Sequence, residues 1–169
     1  MERMIKLLFL FLLCTAYLNC GVYGFRGNNP PPGISKIAVP TFRDESGFSA
    51  PDLAESFTQR LKSKIISDNT FRIADKNIAD AILKCTITSV KDDALVISSG
   101  DDVSKRKITI TVNVVFENLK KQKNIWDKNF ENYGEYNSSD NSFSQRTTGI
   151  DIAAERVTED IIIDLTSNW

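Results

Sequence analysis

The clearest periodic pattern in the chain is a stripe of apolar residues that recurs every four positions after residue 50. Its members are Leu53, Phe57, Leu61 and Ile65, with Ala54 and Ile66 widening the stripe. Polar residues fill the other positions, as expected of an amphipathic helix. Ser49 is a candidate N-cap, Pro51 suits the first turn, and Asp52 completes a capping-box spacing. The pattern predicts a helix that begins near Ser49, ends near Asp68 and Asn69, and packs by its apolar side.

The last part of the chain carries a second helical pattern. Its apolar members recur at helical spacing and are Ile150, Ala154, Val157, Ile161 and Leu165. The β-branched run at residues 161–163 could also suit a strand. Acidic residues spaced through the same segment favour the helix. We therefore expect a helix that follows a polar loop over residues 137–144 and ends near Trp169.

Alternation of apolar and polar positions predicts strands between the two helices. The cleanest case is residues 107–118, where apolar residues alternate with the polar Thr109, Thr111 and Asn113. Because the connections between the later strands are short, we expect antiparallel neighbours there. Further strand candidates are residues 34–40, 71–74, 80–98 and 126–132.

The resulting order of elements is β-α-β-β-β-β-α. This order indicates an α+β fold in which two helices are packed on one face of a mostly antiparallel four- to five-stranded sheet. No internal repeat or long linker divides residues 34–169, so we expect a single domain there. A content of 41% hydrophobic and 25% charged residues agrees, because it suits a folded core better than a disordered chain.

The N-terminus has the layout of a secretory signal peptide, which we predict over residues 1–19. Arg3 and Lys6 precede an apolar run over residues 7–18. That run is shorter than the roughly 20 residues that a bilayer span needs. We therefore expect export of the chain and removal of this leader.

A cysteine follows the leader in the sequence Tyr-Leu-Asn-Cys-Gly, residues 17–21, which resembles a lipoprotein processing box. In that class of signals the cysteine becomes the first mature residue and carries acyl chains. Tyr17 and Asn19 depart from the commonest residues of the box. Gly21, the residue after the cysteine, resembles the signal that directs a lipoprotein to the outer membrane. We therefore expect acylation of Cys20, a tether over residues 20–33, and attachment to the membrane by two or more acyl chains.

The composition argues against several classes of chemistry. A formal net charge of −1 does not suit nucleic-acid binding, which depends on neutralising many phosphates. Histidine, the commonest general base and metal ligand, is absent from the sequence. Gly-rich phosphate loops and Gly-x-Ser-x-Gly motifs are absent as well. We expect a protein without enzymatic activity, cofactor or metal, in which Cys85 is a core residue and the acidic pairs at residues 92–93 and 101–102 lie in solvated turns.

Two basic clusters remain as candidates for binding. Both lie at ends of predicted strands, where such charges commonly keep turns and edges soluble. The functional alternative is recognition of phosphate groups, such as those of a bacterial glycolipid. The clusters are Lys105, Arg106 and Lys107, and Lys120, Lys121 and Lys123.

Several short motifs occur in a recognisable order along nearly the whole chain. They are Cys-Gly-Val-Tyr-Gly-Phe at residues 20–25, Pro-Pro-Gly-Ile at 31–34, Ile-Ala-Val-Pro-x-Phe at 37–42 and the terminal Ser-Asn-Trp at 167–169. Together with the early amphipathic helix and the sheet, they make the chain resemble the LptE family, the lipoprotein partner in lipopolysaccharide assembly. The similarity is strongest to forms from Bacteroidetes-like lineages.

The resemblance implies a lipoprotein on the periplasmic face of the outer membrane that plugs the lumen of a large β-barrel of the LptD type. It also implies help in delivering lipopolysaccharide to the cell surface. The family binds this lipid through basic loop residues, for which Lys105, Arg106 and Lys107 are the candidates here. A polar strand face with Thr86, Thr109, Thr111 and Asn113 suits such a wet lumen better than a dry core.

A second interpretation keeps the anchor and changes the partner. Lipoproteins with a similar Ile-Ala-Val-Pro strand followed by a helix include secretion-pore components and activators of cell-wall synthases. Such a protein would associate with a ring assembly or a synthase instead of a barrel.

Overall fold

The structure is a computed structural model, and it describes residues 31–97, 103–137 and 142–167. The predicted leader, the acylation site Cys20 and most of the tether lie outside the described residues. The same holds for the acidic pair at residues 101–102 and for residues 138–141 in the middle of the predicted loop at residues 137–144.

The described residues form six strands and two helices, and the predicted α+β class is confirmed. Both helices pack on one face of the sheet. The bounds are β1 Lys36–Ala38, β2 Arg43–Asp44, α1 Leu53–Asp68, β3 Arg72–Ile73, β4 Ala81–Ile97, β5 Val103–Asn118, β6 Lys123–Asn137 and α2 Ser142–Ser167.

The sheet is mixed, with the strand order β3-β1-β4-β5-β6 and with β2 paired to β4. The long pairs β4–β5 and β5–β6 are antiparallel, as predicted. The short pairs β1–β3, β1–β4 and β2–β4 are parallel, which differs from the prediction. The reason is the crossover through α1, which returns the chain to the sheet edge in the direction in which it left.

Strand β2 is a finding that the sequence pattern did not predict. Ile37 and Ala38 of β1 pair with Ala81 and Ile82, and β2 resumes the pairing with β4 further along the same edge. Pro40 lies between β1 and β2 and has no amide hydrogen to donate. The two short strands are therefore one edge partner of β4 with an interruption.

The core lies between the helices and the inner side of the sheet. On β5 the alternate residues Ile108, Ile110, Val112, Val114 and Phe116 are all 0% exposed. The α1 stripe of Leu53, Phe57, Leu61 and Ile65 faces them and is buried, as predicted. Ile66, expected in the same stripe, is 64% exposed, because it lies about 100° around the helix from Ile65. Cys85 is buried as expected, and burial raises the pKa of its thiol.

The predicted capping box at the start of α1 is wrong. The helix begins at Leu53, and Asp52 is the N-cap, with φ of 61° and no hydrogen bond from its side chain. The first helical bond runs from the Ser56 amide to the Asp52 carbonyl. The end of α1 agrees with the prediction, because Asn69 takes the left-handed conformation and donates to the Ile65 carbonyl.

Strands β5 and β6 are longer than their alternation predicted. The structure pairs them from Lys105 opposite Asn137 to Asn118 opposite Lys123. Residues 92–93, expected in a turn, lie within β4 opposite β5. Pairing with a neighbouring strand thus extends regular structure through polar residues whose own pattern does not predict it.

Two glycines set the distance between α2 and the edge strand β6. A Cβ atom added to Gly134 would lie 2.1 Å from the Gly149 carbonyl oxygen, and one added to Gly149 would lie 2.9 Å from the Tyr136 ring. Helix and strand can approach this closely only because neither residue has a side chain. Further along, Lys128 contacts Asp164 at 2.9 Å and Asn132 donates to Asp160 at 2.9 Å.

Candidate functional site

The outer side of β4–β5–β6, turned away from both helices, is polar; we call it the open face. Thr109, Thr111 and Asn113 of β5 are half-buried on it, as the alternation predicted. The Thr111 hydroxyl donates to the Glu131 carboxylate at 2.8 Å. The Asn113 amide donates to Asp127 at 2.9 Å. These side chains therefore form a cross-strand network that remains hydrated while keeping its own polar groups paired.

The three predicted lipid-binding residues, Lys105, Arg106 and Lys107, do not all lie on the same side of the sheet. They are consecutive on β5, so their side chains alternate between the two sides of the sheet. Lys105 is exposed at the end of the open face. Lys107 lies on the open face, with its Nζ 5.6 Å from the centre of the Tyr133 ring.

Arg106 lies on the helix side, in contact with an acidic residue. Its Nε donates to Asp92 Oδ1 at 2.8 Å and to the Tyr136 hydroxyl at 3.0 Å. The hydrogen bond with Asp92 raises the pKa of Arg106, and burial raises the pKa of Tyr136. Arg146 of α2 contacts the other Asp92 oxygen at 3.1 Å and stacks over the Phe48 ring at 4.4 Å. Arg106 thus joins β5 to β4 and β6, and Asp92 links the group to α2 through Arg146. This leaves Lys105 and Lys107 as the accessible cations of this cluster.

The second basic cluster, around Lys120, lies at the other end of the hairpin. The Asp80 carboxylate accepts the Ser35 and Lys36 amides at 3.0 and 2.9 Å, and Lys120 contacts it at 2.5 Å. The hydrogen bond from Lys120, with those from the two amides, holds the pKa of Asp80 well below its usual range. All three lysines, Lys120, Lys121 and Lys123, are exposed, and Lys120 is the one that contacts Asp80.

The two clusters define two ends of the domain. Lys107 and Asn118 are eleven positions apart on β5, which is roughly 36 Å along an extended strand. We call the end with Lys105 and Lys107 the distal end. The end where the described chain begins, with Lys36, Asp80 and Lys120, is the proximal end.

A groove at the proximal end was missed by the sequence analysis. It has a volume of about 640 Å³ and an apolar floor that includes Val39 and Ile82. Its four cations are Lys36, Lys62, Arg72 and Lys76. These come from four separate segments, so no cluster in the sequence could have revealed them. We call this feature the proximal groove.

Two classes of feature are not found within the described ranges. None of the helices there is both long and apolar enough to cross a membrane. Across the same ranges no three His, Cys, Asp or Glu residues are grouped as metal ligands would be.

Solved structures similar to this chain share its fold at low sequence identity. Protein XCC0632 from Xanthomonas campestris is 13% identical, with a TM-score of 0.59 over 80% of this chain and 88% of that one. PelC from Paraburkholderia phytofirmans, crystallised as a dodecamer, is 13% identical, with a TM-score of 0.54 over 83% and 95%. The rare lipoprotein B from Shewanella oneidensis is 10% identical, with a TM-score of 0.51 over 78% and 90%. No curated protein sequence matches the chain.

The family comparison goes further than the fold. Residues 34–165 match the model of the family described as LptE, lipopolysaccharide-assembly. The match spans every described strand, all of α1 and all but the last two residues of α2, and so includes the open face and the distal end. The resemblance noted in the sequence is therefore confirmed, and the chain belongs to the LptE lipopolysaccharide-assembly family.

Proposed function

We propose that the protein is an outer-membrane lipoprotein that plugs a large β-barrel translocon of the LptD type and assists its delivery of lipopolysaccharide to the cell surface. The anchor is a set of acyl chains on Cys20, and the domain lies on the periplasmic side. Its role is binding and assembly rather than turnover. The observation that carries the proposal is the family match over residues 34–165.

The open face supports a role inside a hydrated lumen. Its side chains bond to one another across strands, as Thr111 does to Glu131, so they need no dry partner surface. Such a face can contact the wall of a water-filled barrel through further hydrogen bonds and bridging water molecules. The helix side, by contrast, is already occupied by α1 and α2.

The distal end supplies the candidate contacts for the lipid. Lys105 and Lys107 lie on the accessible side of β5, where ammonium groups can meet phosphates of lipopolysaccharide. Arg106 acts indirectly, because its contacts with Asp92 and Tyr136 hold the distal ends of β4, β5 and β6 together.

The test of the partner is an affinity purification of the tagged protein from detergent-solubilised outer membranes, with mass spectrometry of what is bound. We expect a large β-barrel in equal amount. Recovery of a secretion ring or a cell-wall synthase without a barrel would overturn the proposal. That result would favour the alternative partner, which the likeness of the fold to dodecameric PelC also makes worth testing.

The test of the lipid contact compares two charge reversals. Lys105→Glu with Lys107→Glu should weaken crosslinking to lipopolysaccharide while the barrel is still recovered. Lys121→Glu with Lys123→Glu, at two exposed lysines of the opposite end, is the matched control and should change neither. Equal crosslinking in all three proteins would remove the distal end from the proposal.

A further inference from the structure

The proximal groove combines apolar surface with positive charge. Val39 and Ile82 in its floor are buried, and Ile78 beside them is 63% exposed. An isoleucine exposed to that extent next to an apolar floor is unfavourable in water. The groove therefore has a surface suited to the apolar part of a ligand.

The charge of the groove is not balanced by the protein. Four cations line it, and Asp75 is its one carboxylate. Within the described ranges, none of Lys36, Lys62, Arg72 and Lys76 has a carboxylate within ion-pair distance. Elsewhere in the domain, Lys64, Lys84 and Lys128 each contact one. Unpaired cations around an apolar floor are complementary to an anionic amphiphile.

The position of the groove indicates which amphiphile. Lys36 is five residues after the first described residue, Pro31, and eleven positions separate Pro31 from Cys20. An extended chain of that length reaches about 40 Å at most. The β5–β6 turn lies at the same end, because the Leu119 amide donates to the Asp80 carbonyl at 2.9 Å, and it adds the exposed Lys121 and Lys123. The end of the domain nearest the tether is thus also its basic end.

We propose that the proximal groove docks the domain on anionic phospholipids of the membrane to which Cys20 attaches it. Phosphate groups lie among Lys36, Arg72 and Lys76, and Ile78 enters the boundary between head groups and acyl chains. This rests on the proposed anchoring at Cys20. The anchor holds the chain at the membrane, and the groove sets the orientation of the domain on the membrane surface beside it.

The experiment uses the full acylated protein in nanodiscs, one set of phosphatidylcholine alone and one of equal parts phosphatidylcholine and phosphatidylglycerol. Backbone hydrogen exchange is followed over residues 72–82. We expect exchange of exposed amides around Ile78 to slow by roughly tenfold on the anionic discs only, and to recover at high salt.

Two paired variants make the test specific. Lys36→Gln with Lys76→Gln changes exposed side chains, so the fold should persist and the lipid-dependent slowing should be lost. Lys105→Gln with Lys107→Gln removes the same charge at the distal end and should keep the slowing. Ile78→Ser should reduce it on the anionic discs without removing it.

Three outcomes overturn the docking. Equal exchange on both kinds of disc shows that anionic lipid does not reach the groove. If exchange slows on both kinds of disc, and equally in the double variant Lys36→Gln with Lys76→Gln, something other than lipid head groups covers the groove. An intact mass without acyl chains on Cys20 overturns the anchoring and the docking together, whereas recovery of the barrel partner is measured independently of all three.

Discussion

The two faces of β5 differ in what they do, although they alternate residue by residue. Ile110 and Val112 are fully buried under the helices, whereas Thr111 and Asn113 between them are half-buried on the open face. The covered face excludes water and contributes most of the stability. The open face keeps its polar groups paired across strands and available to a partner. One strand thus carries, on alternate residues, a buried side that stabilises the fold and a polar side for which we propose a role in recognition.

The largest effect is expected on the covered face. Ile110→Ala removes a fully buried side chain from the centre of the core and should lower the free energy of unfolding by about 3 kcal/mol or more. Urea unfolding followed by circular dichroism measures this. A loss below 1 kcal/mol would mean that the helices are not tightly packed on β5.

The contact between α2 and β6 should be almost as sensitive. The Cβ atom of Gly134→Ala would meet the Gly149 carbonyl and force the helix off the strand, at a cost of about 3 kcal/mol. Gly47→Ala is the control, because φ of 68° is strained for alanine but no atom lies within 4 Å, so about 1 kcal/mol is expected. Equal losses for the two variants would contradict the close approach.

A smaller and pH-dependent effect is expected at the proximal end, outside either face. The pKa of Asp80 is lower in the folded protein than its ordinary 3.8. Its contribution to stability is therefore fully present above that ordinary value and is lost as the pH falls below about 4. Asp80→Asn should cost about 1 to 2 kcal/mol at neutral pH, and wild type and variant should converge in acid. Denaturation curves at several pH values test this, and a difference that persists at low pH would contradict it.

The smallest effect is expected on the open face, next to the most sensitive position. Thr111→Ala loses a partly exposed hydrogen bond to Glu131 and should change the free energy of unfolding by about 0.5 kcal/mol or less. The same variant should retain less of the barrel partner in the affinity purification. A stability loss as large as that of Ile110→Ala would show that this face is covered, and the contrast between the faces would be wrong.

The sequence predicts those parts of the fold in which each residue's own pattern decides its place. The α1 stripe and the alternation of β5 belong to this class, and both are confirmed. The position of Arg106 belongs to this class as well, since alternation along a strand separates its side chain from those of Lys105 and Lys107. The prediction treated the three residues as one cluster and so overlooked this alternation.

Other features depend on contacts between distant segments. β2 is two residues long and was not predicted, and it exists because β4 offers a free edge. Asp52 takes a left-handed conformation at the start of α1, where its spacing predicted a capping box. The proximal groove takes its four cations from β1, α1, β3 and the loop after β3. A local sequence pattern cannot predict such contacts between segments that are distant in the sequence.

The Asp80 contacts also have a mechanical consequence. For a chain held at Cys20, any tension between the membrane and a partner enters the domain through residues 31–36. After a local turn bond between Ile34 and Pro31, the Ser35 and Lys36 amides on that path donate to the Asp80 carboxylate just before β4. The same carboxylate also contacts Lys120 in the β5–β6 turn. A pull on the tether is therefore shared between the start of β4 and the hairpin at once, instead of peeling β1 from the sheet one pair at a time.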